Sequence, residues 1–536
     1  MPELICRIKP YLQPFEKVLA VRELCSLAQL DADLAYLHFS NDVELQIDTE
    51  VPMEVLTRKL AYWESISNGT GNLTIQVLRE ATVNIVKNGI LPQEIYRYSP
   101  PGKDVSLPRR RCLRYGPHGI HEYRGKFFPQ LVRSLANIAD LRETDLVLDP
   151  MCGSGTTLVE SVLLGCKAFG LDTNPLSVLI SATKCAILSA HPNDILKAYQ
   201  KVLQDLKRSD INLRSYRYNW LKGLPIKDSE YLRGWFPPVA LAHLDKIIRC
   251  IRETHPASVR NLFILSLSNI LRRVSYQKTD DLRVRKEIYD ETSVDCTSIF
   301  SKELERVIKL VLAFLYGENR QYNKIWYVKQ GDSREISRCL PEYVGKINAI
   351  ITSPPYATAL PYIDTDRLSL SFLGLLPRAQ FREINLKMIG NREITDKIKT
   401  EYWDRYTNEK RLLPSAIAKK IDSIYKLNQS TDVGFRRKNL PSLLSKYFLD
   451  MRNVFIEMKR MLAPGAPAYL VIGNNHTVAG GKKVDITTDD FLCQMGESIG
   501  LKLEHTIPMD MLVSRDIFKK NAVKTETILC FRNAED

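Results

Sequence analysis

No two of the eleven cysteines are spaced C-x-x-C, so neither a zinc ribbon nor a disulfide framework is indicated and a reducing interior is expected. The chain also lacks any run of about eighteen apolar residues, and its start, MPELICRIKPYLQ, has no apolar core of signal-peptide length. A soluble, cytoplasmic protein without membrane spans is expected. His118 and His121 lie three residues apart but have no acidic or cysteine partners at ligand spacing, so no metal is expected either. What is in excess is positive charge. Seventy-six Lys and Arg against 62 Asp and Glu give a formal net charge of +14. That balance favours a polyanionic partner, nucleic acid first, although solubility alone accounts for it equally well. With 536 residues the chain can bury a large core divided among three or four domains or sub-domains.

The stretch from Asp145 to Pro175, DLVLDPMCGSGTTLVESVLLGCKAFGLDTNP, is the most informative. Leu146-Val147-Leu148 reads as a strand running into Asp149-Pro150. The turn Cys152-Gly153-Ser154-Gly155-Thr156 follows, and then Leu158, Val162 and Leu163 recur at helical spacing. A second short strand ends on Asp172, about twenty residues past the first glycine, where a carboxylate can accept hydrogen bonds from two ribose hydroxyls. The loop has neither the dinucleotide spacing G-x-G-x-x-G nor a Gly-Lys-Ser/Thr for a nucleotide triphosphate. Its strand ends on an acid, a poor neighbour for pyrophosphate and a good one for the cationic amino-acid end of S-adenosylmethionine. A methyl donor therefore fits better than NAD.

A second signal lies two hundred residues downstream. The buried-strand pattern Lys346 to Ile351 runs straight into Thr352-Ser353-Pro354-Pro355-Tyr356. Two successive prolines deny the backbone both helix and ladder, so the strand must stop and turn outward at its carboxyl end, the edge where open α/β sheets bind ligands.

Together these segments resemble the amino-methyltransferases of DNA. DPMCGSGTT is similar to their cofactor motif, TSPPY to their catalytic motif in the form associated with cytosine N4, and His121 to Leu131 (HEYRGKFFPQL) to the H-x-Y-x-x-K-F-x-P segment that precedes the glycine loop. The resemblance implies an α/β, Rossmann-like methyltransferase domain with S-adenosylmethionine as cofactor and double-stranded DNA as partner, and it allows a cognate restriction endonuclease. On the cofactor side it implies Lys126, Phe127, Asp149, Pro150, Cys152, Gly153, Ser154, Gly155, Thr156 and Asp172. Asp332, in Gly331-Asp332-Ser333, is expected to face the adenine end, or else to cap the helix that follows. The catalytic set is Ser353, Pro354, Pro355 and Tyr356.

An exocyclic amine has its lone pair delocalised into the base ring, so the nitrogen must be drawn toward tetrahedral geometry by acceptors at its protons. Ser353 and the Pro354 carbonyl can accept them, with the prolines fixing the carbonyl, while Tyr356 stacks on a base flipped out of the duplex. No covalent intermediate is needed. Methylation at cytosine C5 would need a cysteine nucleophile, and the Pro-Cys dipeptide expected for it is absent.

The rest of the chain is read as service to this core. Residues 1–100 are expected to form a mainly helical N-terminal domain, from stripes such as Val18, Leu19, Val21, Leu24 and Leu27 and then Val55, Leu56, Leu60 and Tyr62. The breakers Ser99 to Lys103 end it. Residues 112–184 form the cofactor half of the core, 185–325 a basic helical insertion, 326–379 the core with the TSPPY loop, 380–445 a charged insertion, and 446–532 the C-terminal half. Arg110 and Arg111, in a cluster with Arg109 and Arg114, form either a solvated face or a phosphate-contacting strip. Arg272, Arg273, Arg283 and Arg285, interleaved with Tyr276 and Gln277, suit DNA recognition, or else belong to a subdomain that braces the sheet.

The function expected is site-specific methylation of cytosine N4 in DNA. Adenine N6, an RNA amine, and a non-catalytic nucleic-acid-binding subunit are the alternatives. Ser353 favours cytosine, because the adenine enzymes that the motif resembles more often carry Asp or Asn there.

Overall fold

The computed structural model describes residues 3–31, 43–87, 89–99, 105–123, 125, 127–207, 215–278, 285–287, 295–318, 320, 322–323, 325–357, 362–391, 394–429, 434–510 and 525–534. Its centre is a seven-stranded sheet. Among the described residues eleven strands precede that sheet's edge hairpin in chain order. β1 (Glu3–Ile8), β2 (Glu44–Asp48), β3 (Trp63–Ser67) and β4 (Gly71–Leu73) belong to the N-terminal region, and β5 (Leu146–Asp149), β6 (Lys167–Asp172), β7 (Trp326–Gln330), β8 (Ala349–Thr352) and β9 (Pro467–Gly473) to the central sheet. β10 (Asn475–Ala479) and β11 (Lys482–Ile486) pair as a small separate ribbon. β12 (Leu501–Asp510) and β13 (Thr525–Asn533) complete the large sheet.

The strand order is β12-β13-β9-β8-β5-β6-β7. β5 pairs in parallel with β6 on one side and β8 on the other, β6 with β7 and β8 with β9, and only β13 and β12 run antiparallel. From β5 the chain winds outward through β6 and β7, then crosses back to place β8 on the far side of β5. The direction of winding therefore reverses between β5 and β8, and in open α/β sheets a crevice forms at such a point beyond the carboxyl ends of the strands. The glycine loop after β5 and the TSPPY loop after β8 both leave from that edge.

The pleat sorts the strand residues into two faces. Leu148, Ile350, Leu470, Ile472, Leu529 and Phe531 share a core with Met451, Phe455 and Met458 of the helix Phe435–Met461. Val147, Ala349, Ile351, Tyr469, Val471, Ile528 and Cys530 point the other way, into a core with Leu19, Leu24 and Trp63 of the N-terminal region and Leu131 and Leu135 of the helix Pro129–Ile138. The helices of 185–325 share a third core with Leu158, Val159 and Val162 of the helix Thr156–Leu163. This insertion is continuous with the layer of helices on the sheet.

Besides its helices, the N-terminal region holds a four-stranded antiparallel sheet ordered β2-β1-β3-β4. The reason is visible in the second stripe: the helix Met53–Lys59 stops at Leu60, whose ψ of 136° is extended, and Tyr62 leads directly into β3. The boundary expected at 445 falls inside the unbroken helix Phe435–Met461. Pro441 has no N–H for the carbonyl of Arg437, and Asn428 Nδ2 donates to that oxygen at 2.8 Å instead, so the helix tolerates its proline.

A buried polar network ties the N-terminal region to the helix that starts at the glycine loop. Glu160 is fully buried and accepts from Arg133 Nε at 2.7 Å, from Tyr115 Oη at 3.1 Å and from His118 Nε2 at 2.7 Å. Tyr115 Oη accepts in turn from Gln76 Nε2, which also bonds Glu80, and Glu80 pairs with buried Lys9 at 2.6 Å. His118 and His121 are thus accounted for within the fold, His121 Nε2 lying 2.9 Å from Ser268 Oγ. Among the described residues no helix is long and apolar enough to cross a membrane, and no cluster of three His, Cys, Asp or Glu could hold a metal.

Candidate active site

At the reversal point the two loops close on one cavity of about 270 Å³. From the glycine loop Asp149, Cys152, Gly153, Ser154 and Thr156 line it, joined by Asp172 at the end of β6 and by Phe127 and Asp332. Across from them stand Ser353, Pro354, Pro355 and Tyr356. Residues separated by two hundred positions in the chain are thus brought to one pocket by parallel pairing of β5 with β8.

The local geometry explains the residue types. Gly153 has φ +47°, and a Cβ there would lie 3.1 Å from the Tyr123 ring, so the tight turn and the aromatic wall beside it both require glycine. Gly153 N–H donates to Asp172 Oδ2 and Asn174 N–H to Asp172 Oδ1, each at 2.8 Å. The carboxylate is locked at the strand end, at the lining of the cavity. Asp149 Oδ1 accepts from Thr352 Oγ1 at 2.7 Å and from Met151 N–H at 3.1 Å, a bond that fastens the catalytic-loop strand to the cofactor-loop strand. Burial raises both carboxyls to about 6 against the hydrogen bonds that favour their ionised forms.

These residues suit S-adenosylmethionine. Asp172 can hold a diol, Asp149 can face a cationic amine, and Phe127 offers an apolar wall. Thr156 Oγ1 is buried at the cavity lining without a partner among the described residues, a polar atom that a ligand would satisfy.

Several expected residues take other roles. Gly155 is not at the cavity: its φ is +75° and a Cβ would meet Ser181 at 2.8 Å, so it serves close packing of the two helices after β5 and β6. Pro150 is buried behind the loop, its carbonyl accepting from Ser333 Oγ at 2.6 Å. Asp332 lines the cavity and also caps, accepting from Arg334 N–H and pairing with the Arg334 side chain at 2.6 Å. Arg111 is not a free cation, because Glu16 takes it at 3.0 Å and the Phe128 ring lies under it. Tyr276 and Gln277 are buried and cannot read base edges, and the Lys286 ammonium lies over the Tyr276 ring. Arg272 is half-buried and donates to the Lys278 carbonyl, whereas Arg110, Arg273 and Arg285 are exposed. Lys126 and Arg283 lie outside the described residues.

The sequence reading missed Tyr123, Asn174, Met388, Ile389 and Glu526, all of which line the cavity. Tyr123 lay within the quoted H-x-Y segment and could have been found. Met388 and Ile389 sit in the charged insertion, where nothing in the pattern marks them.

Residues 121–215 match a family model described as "UPF0020: RMKL-like, methyltransferase domain". The chain is 25% identical over 421 residues to the Type II methyltransferase M.BsoBI of Geobacillus stearothermophilus, covering 72% of this chain and 78% of that protein. It is 26% identical to the Type II methyltransferase M.AvaI of Nostoc sp. over the same shares of each chain, and 21% identical to the Type II methyltransferase M.MvaI of Kocuria varians over 70% of this chain and 80% of the other. The fold is the Rossmann-like methyltransferase fold, and the methyl donor is S-adenosylmethionine.

Proposed function

We propose that this chain transfers a methyl group from S-adenosylmethionine to the exocyclic N4 amine of cytosine in double-stranded DNA at a specific site. The observation that carries the reading is the single cavity lined by both the Gly153 loop and Ser353 to Tyr356. The Type II methyltransferase relatives, aligned over most of the chain, support DNA as the substrate.

When bound, S-adenosylmethionine supplies an electrophilic methyl on a sulfonium. The protein's own task is to make the amine a better nucleophile. Ser353 Oγ donates its proton to the Val471 carbonyl at 3.1 Å, so its lone pairs are left to accept from an amine in the cavity. The Pro354 carbonyl, held by the ring constraints of two prolines, supplies the second acceptor. Exposed Arg109, Arg110, Arg273 and Arg285 are proposed phosphate contacts.

The test is to incubate the protein with duplex DNA and labelled donor, digest to nucleosides and identify the product by mass. N4-methylcytosine is expected. N6-methyladenine would correct the base, label only in RNA would correct the polymer, and no label in either would remove the reading. Ser353→Ala and Tyr356→Ala should each lower turnover at least a hundredfold while calorimetry shows the donor still bound. Retained turnover in both would remove the catalytic assignment.

A further inference from the structure

Four carboxylates line the cavity: Asp149, Asp172, Asp332 and Glu526. Three are committed to the frame. Asp149 is bonded to Thr352 and Met151, Asp172 to the backbone of Gly153 and Asn174, and Asp332 to Arg334. Glu526 differs. Its Oε1 accepts from Tyr356 Oη at 2.6 Å, and Oε2 has no protein partner among the described residues.

Its place in the sheet is also unexpected. Glu526 lies on β13, in register with Gly473 of β9 and Met509 of β12, and it shares a face with Ile528 and Cys530, which are buried against the N-terminal region. Alternation predicts an apolar residue in that row. A carboxylate there is desolvated, which pushes its proton affinity up, and Tyr356 supplies the compensating hydrogen bond. Tyr356 itself stands on the loop that follows β8, directly after Pro354 and Pro355. The bond to Glu526 ties the end of that side chain to β13 of the sheet.

We infer that Glu526 is a positioning residue that holds the Tyr356 ring in the plane required to stack on the extruded base, acting from the last strand across to the loop after β8. The inference rests on the reading in which Tyr356 stacks on a nucleobase, and it adds a residue some 170 positions away that no motif contains. A short bond to an anionic acceptor is among the stronger protein hydrogen bonds, so its loss should be measurable in turnover.

The experiment is a double-mutant cycle on the full chain, with Glu526→Ala, Tyr356→Phe and both together. Single-turnover methyl transfer, donor affinity by calorimetry and thermal midpoint are measured on each. Each single change should lower the rate constant on the order of tenfold. The double variant should be no slower than the slower single, because both remove one bond, and donor affinity should hold within about twofold. Glu526→Gln keeps an acceptor at the same place and should recover most of the rate lost in Glu526→Ala. Factors that multiply in the double variant, an Ala variant with the parent's rate, or a Gln variant as slow as Ala would each overturn the inference. If the parent protein transfers no methyl to nucleic acid, it is the functional reading that fails, and the two failures are distinguishable.

Discussion

Asp172 combines two properties that pull in opposite directions with pH. Its carboxyl, like that of Asp149, is raised by burial from 3.8 to about 6. Above pH 6 both are ionised and can serve a cationic, diol-bearing ligand. As the pH falls through 6 toward 5 they protonate, and affinity for S-adenosylmethionine should weaken; calorimetric titrations that stay flat from pH 8 to 5 would contradict this. Stability runs the other way. A carboxyl whose folded value exceeds its unfolded value takes up its proton earlier in the native state, so these two groups stabilise the free protein as pH drops from about 6 to about 4. Asp172→Ala should weaken the donor about 10- to 100-fold, the loss of hydrogen bonds to a charged acceptor, and unchanged affinity would count against its ribose role. The residues at this scale were largely legible, because glycines at positive φ, an acid at a strand end and paired prolines are each forced by local chemistry. Glu526 was not, since its meaning comes from a neighbour that only the sheet supplies.

Among the elements, the two glycines of one loop make a contrast that the motif hides. A methyl at Gly153 would press on the Tyr123 ring beside the ligand, whereas a methyl at Gly155 would strike the Ser181 backbone and side chain. Gly153→Ala is therefore expected to reduce donor affinity more than stability. Gly155→Ala should cost roughly 1–3 kcal/mol of stability through overpacking and positive φ, read as a lower denaturant midpoint. Equal effects of both changes on the two measurements would show that the loop acts as one unit. Helical periodicity located most helices well, yet it ran the stripe Val55 to Tyr62 across a helix end into β3, because an apolar residue every three or four positions fits a helix followed by a strand equally well. Likewise Tyr276 and Gln277 looked like a recognition surface in a basic stretch and are buried, with the Tyr276 N–H taken by the Trp235 carbonyl some forty residues earlier.

For the molecule as a whole, the network around Glu160 is the critical joint between the N-terminal region and the cofactor loop. Burial would raise the Glu160 carboxyl, but Arg133 and His118 outweigh it and hold it down to about 2. Its contribution to stability is therefore complete above its usual 4.5 and is lost as pH falls toward 2. Glu160→Ala leaves Arg133 without its carboxylate in the interior and should cost roughly 3–5 kcal/mol, seen as an earlier unfolding transition that also weakens donor binding. An unshifted transition would mean that water replaces the carboxylate at little cost. One further consequence follows from the face of the sheet that the N-terminal region covers. The helix Pro14–Ala28 is synthesised long before β12 and β13, yet the surface that receives it includes Ile507, Ile528 and Cys530, and Arg22 reaches His505 at 2.5 Å. The helix must therefore wait, its apolar side uncovered, until β12 and β13 have been made, and nascent chains halted between the two should be the ones that chaperones retain.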